Sequence, residues 1–227
     1  MSKIPFAMIF DMDGTLFQTE TVLVSALHKT FERLRRAGEW QGGTPVEEYL
    51  RILGVPIPEV WRQLMPEADE AVRARAAAWF LDDIIAEIEQ GNGRLYQDVL
   101  ATLASLADQG IPLFVASNGR SRYLAAIWTA FQLERYFIDC YSLDRFSLPA
   151  KSALVKQLLN DYKIESAVMV GDRGSDIQAA KENGLWSIGC LFGFASAEEL
   201  RGADVIIQQF SEIGPALREI EKRAGRD

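Results

Sequence analysis

Five short, almost continuously apolar runs along the chain predict buried β-strands. They are Ile4–Phe10, Ile111–Ala116, Phe137–Leu143, Ala167–Val170 and Trp186–Phe192. A sheet with one solvated face would alternate apolar and polar residues, whereas strands covered on both faces are apolar throughout. Helical patterns lie between the later runs, at Tyr123–Phe131, Ser152–Asp161 and Asp176–Asn183. This alternation predicts an α/β fold with a doubly wound, parallel, Rossmann-like sheet.

Residues 18–91 break the alternation and predict an α-helical domain inserted after the first strand. Their apolar positions recur with helical spacing in two series, Leu23, Leu27, Phe31 and Leu34, then Ala77, Leu81, Ile84, Ile85 and Ile88. Helix breakers at Gly42-Gly43, Gly54, Pro56, Pro58 and Pro66 divide the segment, and Gly91-Asn92-Gly93 suits a hinge. We therefore predict a core domain of residues 1–17 and 92–227 and an inserted helical domain of residues 18–91.

Composition narrows the classes of partner. With 227 residues and 48% hydrophobic composition the chain can bury a substantial core. Its net charge of −8 disfavours nucleic acid and anionic membranes as partners, which favours a small molecule. No apolar run suits a signal peptide or a membrane span, so a cytoplasmic location is expected. Cys140 and Cys190 lack CxxC spacing and are expected to be buried free thiols, and either a monomer or a homodimer is compatible with the sequence.

The first candidate for chemistry is Asp11-Met12-Asp13-Gly14-Thr15, directly after the first predicted strand. Ligands of open α/β sheets gather at the carboxyl ends of strands. The Asp11 carboxylate is ionised at neutral pH and can attack phosphorus if a cation suppresses its repulsion from phosphate. Asp13 could protonate the leaving oxygen and then activate water as a base. The same residues are also common in a simple strand-ending turn.

A second constellation, Gly171-Asp172-Arg173-Gly174-Ser175-Asp176, also follows a predicted strand and opens a helix. Asp172 is therefore expected at the same sheet edge as Asp11. Two carboxylates, the backbone carbonyl of Asp13, phosphate and water make a suitable oxygen set for Mg²⁺. Asp176 falls in the first helical turn, where an acid is favourable anyway, so we expect a supporting or water-mediated role for it.

Two further residue groups could bind the substrate phosphate. Ser117-Asn118-Gly119 follows the second predicted strand, where a hydroxyl and backbone N–H groups suit phosphate oxygens. Lys151 lies just before a predicted helix and could balance the charge of Asp11 and the phosphate. Each signal is weak by itself, because Ser-Asn-Gly is ordinary turn composition and a single lysine is usually solvated.

Taken together, Asp11-x-Asp13-Gly-Thr, Ser117, Lys151 and Gly171-Asp172-x-x-x-Asp176 resemble the four motifs of the haloacid dehalogenase superfamily of phosphatases. The resemblance is strongest to phosphoglycolate-phosphatase-type members. It implies that Asp11 is a nucleophile, that Asp13 is the acid/base, and that Mg²⁺ is the cofactor. Residues 18–91 resemble the α-helical C1 cap of these enzymes, and Gly184 to Ile207 resembles their final strand, substrate-side loop and closing segment.

The resemblance leaves a phosphomutase of the β-phosphoglucomutase type as an alternative. Such mutases carry a histidine where this chain has Leu23 and an aspartate where it has Gln18, so both departures favour hydrolysis. Asp13 favours phosphoryl transfer over dehalogenation, because the halide-releasing branch lacks that aspartate. The stretch Ser117-Asn118-Gly119-Arg120-Ser121-Arg122 differs from the Thr-Asn-Lys of many phosphoglycolate phosphatases, which leaves the substrate open.

The remaining alternatives depend on single features. A non-catalytic phosphate- or partner-binding module could use the same fold, although it would gain little from crowded carboxylates. The single histidine, His28, has no Gly-x-Ser-x-Gly partner motif, so a structural or solvent-facing role is expected for it. Candidates for determining the identity of the small phosphorylated substrate are Thr19, Tyr49, Arg51, Arg120 and Arg122.

Overall fold

The computed structural model describes residues 3–52 and 57–225, which form two compact units. One unit runs up to Gln18 and resumes at Arg94, and the other is Thr19–Gly93. Two of the predicted helix breakers, Gly54 and Pro56, lie outside the described residues, as does the side chain of Pro58. Within the described ranges, no helix is both long enough and apolar enough to cross a membrane.

The first unit contains a single six-stranded sheet. Its strands are β1 (Ala7–Phe10), β2 (Leu113–Ser117), β3 (Phe137–Ser142), β4 (Ala167–Gly171), β5 (Trp186–Cys190) and β6 (Val205–Ile207). They lie in the order β3-β2-β1-β4-β5-β6, and every neighbouring pair is parallel. This arrangement confirms the predicted doubly wound, Rossmann-like α/β fold.

Strand boundaries differ from the hydrophobic runs by a few residues. The first strand begins at Ala7, since Ile4 makes only an isolated bridge to Ile164. The sequence had suggested that Ser117 follows the second strand, but Ser117 is the last residue of β2. The sixth strand was not among the predicted five, because three residues that include the exposed Ile206 give too short a pattern.

Helices account for most of the remaining chain. The Thr19–Gly93 unit contains α1 (Glu20–Arg36), α2 (Val46–Arg51), α3 (Ile57–Leu64) and α4 (Glu70–Glu89). The sheet unit contains α5 (Val99–Asp108), α6 (Ser121–Ala130), α7 (Leu143–Phe146), α8 (Lys151–Tyr162), α9 (Gly174–Glu182) and α10 (Ile213–Ala224). The helical reading of residues 123–131, 152–161 and 176–183 is therefore correct to within two residues at each end.

An aromatic core holds the helical unit together. Phe31 of α1 stacks against Trp61 of α3 with ring centroids 6.1 Å apart, and Trp61 meets Phe80 of α4 edge-on at 5.8 Å. The end of α4 is held by the buried Glu87, which accepts hydrogen bonds from Ser25 and Asn92. Because Asn92 belongs to the predicted hinge, that segment is tied to its own helix and is not simply a free linker.

The centre of the sheet is the most deeply buried part of the core. Ile9 of β1 is paired with Phe114 of β2 and with Met169 of β4, and all three side chains are fully buried. A side chain enclosed by neighbours on both strands cannot be shortened without leaving a cavity.

Replacing Ile9 by alanine should lower the free energy of unfolding by about 2–5 kcal/mol, because a cavity opens in the centre of the sheet. Urea denaturation followed by circular dichroism measures this. Ile138→Ala is the matched control, since Ile138 lies on the edge strand β3 with 52% of its surface exposed, and it should cost far less. Equal losses for both variants would contradict this account of the core.

Candidate active site

Two neighbouring strands deliver the first and last candidate carboxylates to one place. β1 ends at Phe10 and β4 ends at Gly171, so Asp11 and Asp172 are the first residues beyond each strand. The two strands are adjacent and in register, with Phe10 opposite Val170, and Asp11 N donates to Val170 O at 2.9 Å. This is the point where the strand order reverses, which is the usual ligand crevice of such sheets.

Asp11, Asp172 and Asp176 form a compact buried group. One carboxylate oxygen from each lies within 4.8 Å of the others, and the three residues are 5%, 0% and 0% exposed. Asp176 joins them because α9 begins at Gly174 and its first turn folds back over the end of β4. A carbon atom on Gly171 would lie closer than 3.0 Å to the Asp176 carboxyl group, so glycine is required there.

Lys151 supplies the positive charge in this group. Its ammonium lies 2.7 Å from Asp11 Oδ2 and 2.6 Å from Asp176 Oδ1, and the residue is only 4% exposed. Burial alone would lower the pKa of Lys151, but the charges of Asp11 and Asp176 outweigh it and raise that pKa above its ordinary value. The sequence analysis placed Lys151 just before a helix, whereas it is the first residue of α8. Its side chain is buried and not solvated.

Asp172 has hydrogen-bond donors but no ion pair among the described residues. Thr15 Oγ1 donates to its Oδ1 at 3.0 Å and Phe194 N donates to its Oδ2 at 2.8 Å. Burial, and then the charge of Asp11, raise the pKa of Asp172 to about 7. When all three carboxylates are ionised, the ammonium of Lys151 balances only one of them, so this buried group carries a net charge of −2. A divalent cation with oxygen ligands therefore fits the donor set.

The loop after β5 is a part of the site whose residues the sequence analysis did not identify. Besides the Phe194 N–H, it brings Gly193 against the Gly14 carbonyl and the Asp172 side chain, where a carbon atom on Gly193 would lie closer than 3.0 Å to both. Gly14 has φ +73° and is equally crowded by Asp172. The sequence analysis had compared Gly184 to Ile207, which includes this loop, with the final strand and substrate-side loop of the haloacid dehalogenase superfamily, but it named no individual residue of the loop.

The Asp13 side chain does not belong to the acidic group. It is half-buried, and its Oδ1 accepts a hydrogen bond from the hydroxyl of Tyr123 on α6. The sequence assigned the backbone carbonyl of Asp13 to the metal and its carboxylate to proton transfer, and both roles stay predictions. The sequence analysis gave Tyr123 no role in the site and named it only as the first residue of a predicted helix.

Ser117-Asn118-Gly119 lies between β2 and α6, with Ser117 as the last residue of β2. Ser117 is 1% exposed, and its Oγ accepts a hydrogen bond from Gly119 N at 3.1 Å, while Asn118 is exposed. Asp144 anchors the start of α6, because both of its carboxylate oxygens accept from Ser121 N. Thr19 lies in the helical unit as the residue before α1, and its proposed substrate contact stays a prediction.

The cysteines and the histidine lie outside this chemistry. Cys190 is buried and Cys140 is partly buried, so the expectation of full burial is right only for the first. Burial, followed by the charge of Asp139, raises the pKa of Cys140 to about 12, and burial raises the pKa of Cys190 well above its ordinary value. Neither thiol is a nucleophile at neutral pH. His28 is exposed on α1, in agreement with the solvent-facing role expected for it.

Comparison with known proteins gives a consistent result. The model of a family described as haloacid dehalogenase-like hydrolase matches residues 8–190. A phosphoglycolate phosphatase of Pectobacterium atrosepticum is 29% identical over 226 residues, which cover 92% of this chain and 91% of that protein. A probable phosphatase named IndB, from Dickeya dadantii, is 28% identical and covers 95% of this chain and 94% of its own length.

Solved structures show the same overall similarity. The crystal structure of a predicted phosphatase from Clostridium acetobutylicum aligns with a TM-score of 0.77 at 26% sequence identity. The alignment covers 96% of this chain and all of the other, so the similarity includes the helical unit as well as the sheet.

In the cation-free protein, the contribution of Asp172 to stability should decrease as the pH rises from 3.8 to about 7, the interval between the ordinary and the folded-state pKa of Asp172. The folded state binds this proton more tightly than the unfolded chain, so its contribution to stability is present at low pH and disappears above the higher pKa. Asp172→Asn has no proton to lose. The quantity to measure is therefore the melting temperature of Asp172→Asn minus that of wild type, both in EDTA. This difference should increase between about pH 5 and about pH 8. A pH-independent difference would contradict this.

Proposed function

Since the chain belongs to the haloacid dehalogenase-like hydrolase family and is a phosphatase, we propose that it hydrolyses a small phosphorylated metabolite in a Mg²⁺-dependent reaction through a phosphorylated Asp11. The observation that carries the proposal is the convergence of Asp11, Asp172 and Asp176 around Lys151 at the crevice of the sheet. The helical unit Thr19–Gly93 is proposed to be the cap domain of this family.

Asp11 is the proposed nucleophile. It is the first residue after the central strand β1, and its backbone N–H is bonded to β4, so its position is held by the sheet. The Lys151 ammonium lies 2.7 Å from Oδ2 and helps to hold this carboxyl group in place, and a carboxylate oxygen is the atom that attacks phosphorus. In this step the Asp11 oxygen forms a bond to phosphorus while the bond from phosphorus to the substrate's ester oxygen breaks.

Asp13 is the proposed acid and base. It lies two residues from Asp11, and its side chain is outside the group formed by Asp11, Asp172 and Asp176. In the first step it gives a proton to the departing ester oxygen. In the second it removes a proton from the water that attacks the phosphorylated Asp11, and this releases phosphate and restores the carboxylate.

Lys151 and Asp176 are proposed to balance charge. Asp176 accepts from Lys151 through Oδ1 and from Arg173 N through Oδ2, so both of its oxygens are engaged and it orients the ammonium. Ser117 and Asn118, at the end of β2, are proposed to bind the substrate phosphate. The Mg²⁺ ion would be held by Asp11, Asp172 and the Asp13 carbonyl, and when bound it neutralises charge on the transferring phosphoryl group.

The proposed substrate class follows from the relatives. Proteins named phosphoglycolate phosphatase match over most of this chain, so phosphoglycolate and sugar phosphates are the first substrates to test. The mutase alternative gains nothing from the structure. Leu23 is 1% exposed inside α1, and Gln18 Nε2 donates to the Leu95 carbonyl at 2.7 Å, so both residues have structural roles.

Asp11→Asn should reduce phosphate release from p-nitrophenyl phosphate by roughly 10³-fold or more, because the amide cannot act as the nucleophile. Phosphate release is measured with Mg²⁺ and with EDTA, and mass spectrometry of acid-quenched wild-type protein should find a phosphoryl group on the peptide that contains Asp11. Asp108→Asn is the matched control, since Asp108 is exposed at the end of α5 and should be silent. Full activity of Asp11→Asn would refute the proposed nucleophile.

Asp172→Asn should raise the Mg²⁺ concentration needed for half-maximal activity by about 10–100-fold, because one charged ligand is lost. Activity is titrated with Mg²⁺ for both proteins at one saturating substrate concentration. An unchanged Mg²⁺ requirement would remove Asp172 from the proposed ligand set.

A further inference from the structure

The side chain of Tyr123 connects α6 to the Asp11–Thr15 loop. Its hydroxyl donates to Asp13 Oδ1 at 2.5 Å, within the range of hydrogen bonds from a hydroxyl to a carboxylate. The residue is only 6% exposed, so water competes little for this bond. Its ring meets the fully buried ring of Phe17 edge-on, with centroids 6.4 Å apart. Tyr123 therefore contacts Asp13 in this loop and Phe17 two residues beyond it.

The position of Tyr123 is set by the fold and not by the Asp13 contact alone. It is the third residue of α6, whose start is anchored by Asp144 through Ser121 N and Ser121 Oγ. The same helix buries Leu124 and Ile127 in the core. The phenol group is thus presented to Asp13 by a helix whose start is anchored and whose inner face is buried, whereas Asp13 itself is on a loop.

We propose that Tyr123 is a positioning residue that orients the Asp13 carboxyl group for proton transfer. This inference rests on the proposed function, in which Asp13 is the acid and base. A carboxyl group on a loop can rotate about its bond to Cβ, and the rotation decides which oxygen is directed toward the leaving group. A hydrogen bond to Oδ1 from a rigid donor restricts that rotation. Tyr123 itself does not contact the reacting atoms in this role.

The role predicts a dependence on the leaving group. An alkyl alcohol leaves poorly unless it is protonated, so alkyl phosphates need a correctly oriented acid. p-Nitrophenolate leaves as an anion and needs little assistance. A substitution that disturbs the orientation of Asp13 should therefore reduce kcat/KM for alkyl phosphates much more than for p-nitrophenyl phosphate. A general loss of packing would affect both substrates alike.

The test is Tyr123→Phe, which removes the hydroxyl and keeps the ring against Phe17. We expect kcat/KM to fall by about tenfold or more for the alkyl phosphate that wild type turns over best, and by less than about threefold for p-nitrophenyl phosphate. Tyr141→Phe is the matched control. Tyr141 is 3% exposed, and its hydroxyl donates to Asp161 at 2.7 Å, so the control removes a hydrogen bond from another buried tyrosine to an aspartate.

Two further proteins separate positioning from folding. Tyr123 replaced by a fluorotyrosine retains the donor and should keep the wild-type ratio of the two kcat/KM values, which tests the role even if Tyr123→Phe folds poorly. In an Asp13→Asn background, Tyr123→Phe should cause no further loss with the alkyl phosphate, because the two residues act through one proton transfer.

The outcomes distinguish this inference from the proposed function. Equal losses on both substrates, no loss, or a further loss in the Asp13→Asn background would overturn the role of Tyr123 and leave the phosphatase intact. A wild-type protein that hydrolyses no phosphate monoester with Mg²⁺ would overturn the proposed function, and the role of Tyr123 with it.

Discussion

The structure depends on holding three buried carboxylates close together. Like charges repel strongly away from water, so such a group persists only if cations and hydrogen-bond donors surround it. Lys151 binds Asp11 and Asp176 directly, while Thr15 and the Phe194 backbone donate to Asp172. Residues from four separate parts of the chain take part in these contacts, and the pairing of β1 with β4 brings two of those parts together.

The same constraint requires backbone segments to approach the carboxylates closely. The carboxylates can meet only if the backbone that approaches them most closely carries no side chain, and glycine occurs at three such points, Gly14, Gly171 and Gly193. The β5–β6 loop thereby covers Asp172 with backbone and leaves no room for a larger residue. Shielding from water makes each remaining electrostatic interaction stronger. For the same reason, the excess negative charge of the group suits a divalent cation.

Two acids of one short loop have different surroundings because different elements approach them. Asp11 faces Lys151 of α8 and Asp176 of α9, and its Oδ2 forms an ion pair with the Lys151 ammonium. Asp13 faces α6, where a phenol hydroxyl meets its carboxylate. The proposed nucleophile and the proposed acid/base therefore have different surroundings, although they lie only two residues apart.

The sequence alone determined the strand and helix alternation, the parallel sheet and the strand-end positions of Asp11, Ser117 and Asp172. Those features depend on local periodicity and on the rule that parallel strands end at one edge. Only the tertiary structure decided that Lys151 is buried between Asp11 and Asp176, that Phe194 and Gly193 enclose Asp172, and that Tyr123 reaches Asp13. These contacts join residues far apart in the chain, and a lysine, glycine or tyrosine by itself carries no local pattern that names its partner.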